Sequence, residues 1–347
     1  MSGQLAVNYL GLNLTSPVVV GACPLTLQPE TVRQLASAGA GAIVLPSILQ
    51  EQLVHRQIQV TNPLAGVAES GYQPQQDKYN GGVTNYLTTI KSLKETCALP
   101  IIASLNGASA GDWLDYANEI EDAGADALEF NLQPSIFDPN DASDAIEERL
   151  CDMIRQVVQR VTIPVAVKVS QRFTNLASMT RQLKASGAQG VVLFTHLPHW
   201  DIGTDRKVWT IRWELSPLDS LGLILEGIVR LRSGQFVLSI AASGGVATAE
   251  DAVKAIIAGA DVVMVTSAVY RKGPDAVRKM VDGIERHLEM NEFESLSDFK
   301  ESCPVVELGS EHMMRLEYVD PLTRSDTYFD PTPVTTDEMG DVYGHRK

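Results

Sequence analysis

Cysteine is sparse in this chain. Cys23, Cys97, Cys151 and Cys303 lie far apart in 347 residues. No CxxC pair occurs, which excludes the usual spacing of an iron–sulfur or zinc ligand set. Basic residues are also few, with 28 Lys and Arg against 43 Asp and Glu and a net charge of -15. Such a surface excludes nucleic acid as a partner, because phosphate backbones need a basic face. It leaves room for one small phosphate held by backbone N–H groups. No apolar run approaches the roughly 20 residues that cross a bilayer. The opening MSGQLAVNYLGLNL lacks the charged-then-apolar layout of a secretory signal. These absences predict a soluble, cytoplasmic protein with no membrane partner. Apolar content of 44% suffices for a sizeable core.

A short pattern recurs four times: AGAGAIVL from Ala38, AGADALEF from Ala123, SGAQGVVL from Ser186 and AGADVVMV from Ala258. The glycine suits a helix C-terminus, where a left-handed backbone carries no Cβ clash. The apolar run after it suits a strand buried on both faces. A second pattern interleaves with the first: PVVVGA from Pro17, PIIASL from Pro100, PVAVKV from Pro164 and FVLSIAAS from Phe236. Together they predict eight strands alternating with helices over 29–38, 84–97, 110–123, 142–161, 174–186, 221–233, 248–258 and 274–290. That alternation predicts a (β/α)8 TIM barrel over 1–303, with an open doubly wound sheet as the alternative. Long loops are expected after strands 2 (49–83) and 6 (197–220), the latter with WTIRWEL as a short strand or lid. The polar, proline-dotted stretch 304–347 reads as a C-terminal extended arm.

In such a barrel the residues at strand C-termini converge on one site. Here they are Ala22 and Cys23, Ser47, Asn106, Glu129 and Asn131, Lys168, Thr195 and His196, Ser243-Gly244-Gly245, and Thr266-Ser267. The breaks after strands 7 and 8 are where this fold holds a phosphate, and the segment after Thr266 can open a short helix toward it. Gly244-Gly245 alone could be only a tight turn. Lys168 inside an apolar strand needs a partner, and Glu129 stands in the equivalent phase on the next strand. The pair either braces the barrel or places a cation near charge developing on a ligand. Asn106 and Asn131 are equipped for a heterocycle's amide edges. His196 and His199 lack a clear third ligand, so no metal is predicted.

These residues together resemble the FMN-binding barrels of the dihydroorotate dehydrogenase family, from about Leu10 to Phe299. The motifs are YLGLNLTSPVVVGACP, EFN at 129–131, VK at 167–168, and ASGGV with ADVVMVTSAVYRKGP. The resemblance implies FMN with its phosphate on Ser243, Gly244, Gly245, Thr266 and Ser267. It puts Asn106 and Asn131 against the ring and Lys168 near the N1–C2 edge, with Ala22, Cys23, Ser47 and Thr195 around them. It implies oxidation of dihydroorotate in pyrimidine biosynthesis, with a base on the loop after strand 4, and a homodimer. This chain departs from the pattern there. Pro134 stands at the base position and Ile136 replaces an asparagine, leaving Ser135 one residue late as the candidate base. Pro46 replaces a lysine at the end of strand 2. The expectation is therefore an FMN-dependent oxidoreductase with a small cyclic substrate that need not be dihydroorotate. The rivals are a cofactor-free isomerase or synthase acting on a phosphorylated metabolite, and a flavin-binding subunit without its own turnover.

Overall fold

Each AG-type repeat ends a helix and launches a strand. In the fourth repeat, Gly259 closes helix Ala249–Ala258 with φ +113°, and Gly39, Gly124 and Gly187 take φ between +93° and +100° at the matching places. A side chain in that region would carry a steric cost, so glycine lets the chain reverse within two residues and enter the sheet. The computed structural model describes residues 4–62, 71–133, 138–204, 207–218, 220–233, 238–304 and 311–323.

Eight parallel strands close on themselves: β1 (Val18–Val20), β2 (Ala42–Val44), β3 (Ile101–Gly107), β4 (Ala127–Leu132), β5 (Val165–Val169), β6 (Gly190–Leu193), β7 (Ser239–Ser243) and β8 (Val262–Val265). Each pairs with the next, and β8 pairs with β1, which completes the ring. A two-residue extension, Ile48–Leu49, continues β2 along β3. This is a (β/α)8 barrel, and the predicted helices surround it: Pro29–Ser37, Val83–Thr96, Tyr116–Asp122, Ser143–Val158, Leu176–Ala185, Leu221–Ser233, Ala249–Ala258 and Asp275–Met290.

Alternation along each strand divides the core in two. Residues such as Val20, Ile43, Phe130, Val167 and Val263 face outward into the helix layer. Val19, Val44, Ile102, Ala127, Ala166, Val192 and Val262 fill the barrel interior. An N-terminal hairpin, Val7–Tyr9 with Leu12–Leu14, adds Tyr9, Leu10 and Leu14 to that interior cluster. The Leu10 N–H donates to Ser239 Oγ at 3.0 Å, at the start of β7, so the hairpin closes the end opposite the strand C-termini. Fully burying one aliphatic side chain contributes about 1.5–3 kcal/mol, and this plug buries two leucines, with Tyr9 beside them.

Two segments differ from the expectations, after β2 and beyond Pro304, and the stretch after β6 carries the short strand expected of WTIRWEL. The stretch after β2 is not all loop, since helix Gln50–Thr61 and the short turn Asp77–Asn80 lie within it. The stretch after β6 forms an antiparallel ribbon, His199–Gly203 with Val208–Arg212. The chain divides into one unit at Met1–Pro304 and a second at Val305–Lys347. In the second, helix Glu311–Thr323 forms where extended chain was expected, because EHMMRLEY is rich in good helix formers and its one proline waits until the last turn. Among the described residues no helix is long and apolar enough to cross a membrane.

Candidate active site at the carboxyl end of the barrel

A cavity of about 980 Å³ opens where the strand C-termini converge. It lies at the upper end of the range for small-molecule sites, roughly 300–1,000 Å³. Of the predicted site residues, Ala22, Cys23, Ser47, Asn106, Asn131, Lys168, Thr195, Ser243, Gly244, Gly245, Thr266 and Ser267 all line it. Ser135 lies outside the described residues, as do Pro134 and Ile136.

One end of the cavity is built from backbone and hydroxyls. Gly245 has φ +68°, and a Cβ there would meet the Leu221 amide nitrogen at 2.6 Å, so the turn after β7 is closed to any side chain. Thr266 is the N-cap residue of helix Ser267–Lys272. The Ser267 hydroxyl accepts from the Ser216 N–H at 2.9 Å, and the Arg271 guanidinium donates to the Ser216 carbonyl at 2.7 Å. The segment after the ribbon is thereby tied to the start of this helix.

The floor is polar. Parallel register aligns Asn106 with Asn131 and Asn131 with Lys168, making one rung across β3, β4 and β5. Glu129 lies one rung deeper, aligned with Ser104 and Ala166. Lys168 Nζ is 3.5 Å from Glu129 Oε1, and Glu129 Oε2 is buried with no hydrogen-bond partner among the described residues. The Thr195 hydroxyl donates to Asn131 Oδ1 at 2.7 Å, which orients that amide and leaves its two N–H groups as donors.

The wall beside β1 and β2 is held by a network that sequence reading missed. Ser47 Oγ is 2.7 Å from Ser104 Oγ, and the Ser47 carbonyl accepts from Asn80 Nδ2 at 2.9 Å. Asn80 and Gln52, both buried, exchange hydrogen bonds of 2.7 and 3.0 Å. The only signal for this was Asn80-Gly81-Gly82 at the end of a long insert. Cys23 is buried, and burial pushes its thiol up to about 11, so it is a neutral packing group at physiological pH.

Further lining residues were also missed, including Tyr79, Gln133, Arg172 and Tyr270, while Trp213 lines the cavity from the WTIRWEL stretch. Tyr79 and Trp213 come from the two long inserts, whose position after strands was the available clue. His196 Nε2 lies 2.6 Å from the Glu214 carbonyl and therefore carries a hydrogen, which leaves Nδ1 as the ring's acceptor. Trp213 meets the same ring edge-on, with centroids 5.0 Å apart. Among the described residues no group of three His, Cys, Asp or Glu is arranged to hold a metal.

A closed parallel barrel with a glycine turn after β7, a Thr-Ser helix start after β8 and a polar rung on its floor defines an α/β barrel with a small-molecule site at its carboxyl end. The sequence profile of the dihydroorotate dehydrogenase family matches residues 224–288, the segment that carries that glycine turn and helix start. A protein of Aeropyrum pernix named "Putative dihydroorotate dehydrogenase A (fumarate)" is 27% identical over 304 residues, covering 85% of this chain and 96% of that protein. The dihydroorotate dehydrogenase B (NAD(+)) catalytic subunits of Thermoplasma acidophilum and Pyrococcus furiosus are 22% and 24% identical over 303 residues, each covering 85% of this chain and 97% of that subunit. The chain is similar to these dihydroorotate dehydrogenases over 85% of its length.

Proposed function

We propose that this chain is an FMN-dependent oxidoreductase that removes two hydrogens from a CH–CH bond of a small cyclic substrate, with dihydroorotate as the reference compound. One observation carries the reading: a backbone-and-hydroxyl end fit for a phosphate and a rung of amides and a lysine fit for a heterocycle line the same cavity. The relatives named dihydroorotate dehydrogenases support it. Gly244, Gly245, Ser243, Thr266 and Ser267 would hold the phosphate. Asn106, Asn131, Thr195 and Lys168 would face the ring, with Ala22, Cys23 and Ser47 closing the wall. FMN, when bound, supplies the hydride acceptor.

The chain's own residues do the rest. The Lys168 ammonium sets positive charge on the cavity floor, where it stabilises an anion. Proton acceptance falls to Ser135, on the segment after β4, or to His196 through Nδ1.

The rest of the reading is a cytoplasmic enzyme of pyrimidine biosynthesis that works as a homodimer. The ribbon supports the dimer, since Trp200, Ile202, Trp209 and Ile211 share one face and are each 44–66% exposed. Absorption spectroscopy of the purified protein, followed by anaerobic titration with dihydroorotate, tests the proposal. A visible flavin band bleached by dihydroorotate is the expected result. A protein that takes up no FMN would overturn the reading. Bound FMN that dihydroorotate leaves oxidised would move the substrate elsewhere, or favour a flavin-binding subunit, as Pro134 at the family's base position suggests.

A further inference from the structure

Glu129 is a buried charge that the proposed chemistry leaves without a task. Its side chain is 1% exposed, inside the barrel and one rung below Asn131 and Lys168. A close charge-assisted hydrogen bond spans about 2.7–2.9 Å. The 3.5 Å from Lys168 Nζ to Glu129 Oε1 is looser, and Oε2 has no partner among the described residues. A carboxylate so placed is poorly compensated for its desolvation. Lys168 is under-committed too. Its ammonium has three donors, is 11% exposed and lines the cavity, and among the described residues its hydrogen-bond acceptor is Glu129. The ammonium therefore stands between a carboxylate beneath it and any anion that forms on the floor above it.

From this juxtaposition we infer that Glu129 is a positioning residue that lowers the electron affinity of the flavin by drawing the Lys168 ammonium down and offsetting part of its charge. The inference rests on the FMN reading above. With Glu129 ionised, an anion on the cavity floor receives only part of the lysine's field. With Glu129 neutralised it receives the whole.

The test uses the FMN-loaded protein and needs no substrate. Sulfite adds to the oxidised ring and leaves negative charge on it, so its affinity reads the same stabilisation. Glu129→Gln, which keeps volume and removes charge, is expected to tighten sulfite binding about tenfold or more. The reduction equilibrium, titrated against reference dyes, shifts upward by a similar factor, about 30 mV per tenfold for a two-electron couple. In a Lys168→Gln background the same substitution has little effect, because the ammonium through which Glu129 acts is gone. If Glu129→Gln alone does not fold, Glu129→Asp withdraws the carboxylate from Lys168 and is expected to tighten sulfite about threefold. Unchanged affinity in the variants with FMN bound overturns the inference, as does an equal effect in both backgrounds. A wild type that holds no FMN removes the functional reading and this inference together, whereas FMN bound with unresponsive variants removes this inference alone.

Discussion

Asn80 uses all four hydrogen-bonding positions of its amide. Nδ2 donates to the Ser47 carbonyl and Gln52 Oε1, while Oδ1 accepts from Gln52 Nε2 and the Gly82 N–H. It is fully buried. Asn80→Ala strands several of these groups away from water, and each costs about 1–3 kcal/mol. A net loss on the order of 2–4 kcal/mol is expected in urea unfolding, and a change below about 0.5 kcal/mol would refute the role. Cys23 gives a pH-dependent counterpart. Its thiol is raised from 9.0 to about 11, chiefly by burial. The native state thus holds this proton where the unfolded chain releases it, so the stabilisation is complete below pH 9 and is lost as pH rises toward 11. That step is worth on the order of 2–3 kcal/mol. Cys23→Ala should flatten the stability–pH curve across that window relative to wild type, and parallel curves would contradict the assignment.

At the scale of elements, what could be read in advance divides by periodicity. The barrel strands announced themselves because each is buried on both faces, which writes a continuous apolar run after a repeated glycine. The residues of the polar rung were legible for the same reason, since a lysine or asparagine interrupts such a run visibly. Helix Gln50–Thr61 was not legible. Its buried positions include the polar Gln52, so it offers no clear apolar stripe. The Asn80 network joins residues 28 and 33 positions apart through side-chain amides, and no local pattern records it. The ribbon was visible only as WTIRWEL, because its partner strand HWDIG has little strand character. Isolated two-stranded ribbons are marginal in water, and this one turns its apolar face outward. Trp200→Ser with Trp209→Ser should therefore convert the proposed dimer to a monomer in analytical ultracentrifugation. A dimer that survives with unchanged affinity would move the interface off the ribbon.

On the scale of the whole molecule, the cavity and its support belong to one unit. Every described residue lining the cavity lies between Ala22 and Tyr270. The core runs on to Phe299 in helix Leu296–Ser302, and the Leu296 N–H donates to the Gln4 carbonyl at 2.8 Å, which joins the two ends of that unit. Pro304 closes the unit two residues after that helix. A chain ending at Pro304 should then unfold in one cooperative step, with a midpoint within about 4 °C of the full chain, which for a domain of this size corresponds to roughly 1–2 kcal/mol. It should also retain FMN with a Kd changed by less than about threefold, under 1 kcal/mol. Differential scanning calorimetry and flavin titration on the two proteins make the comparison. A truncated chain that melts broadly would assign the second unit a share in the barrel's stability. One that melts normally but releases FMN would assign it a share in the site.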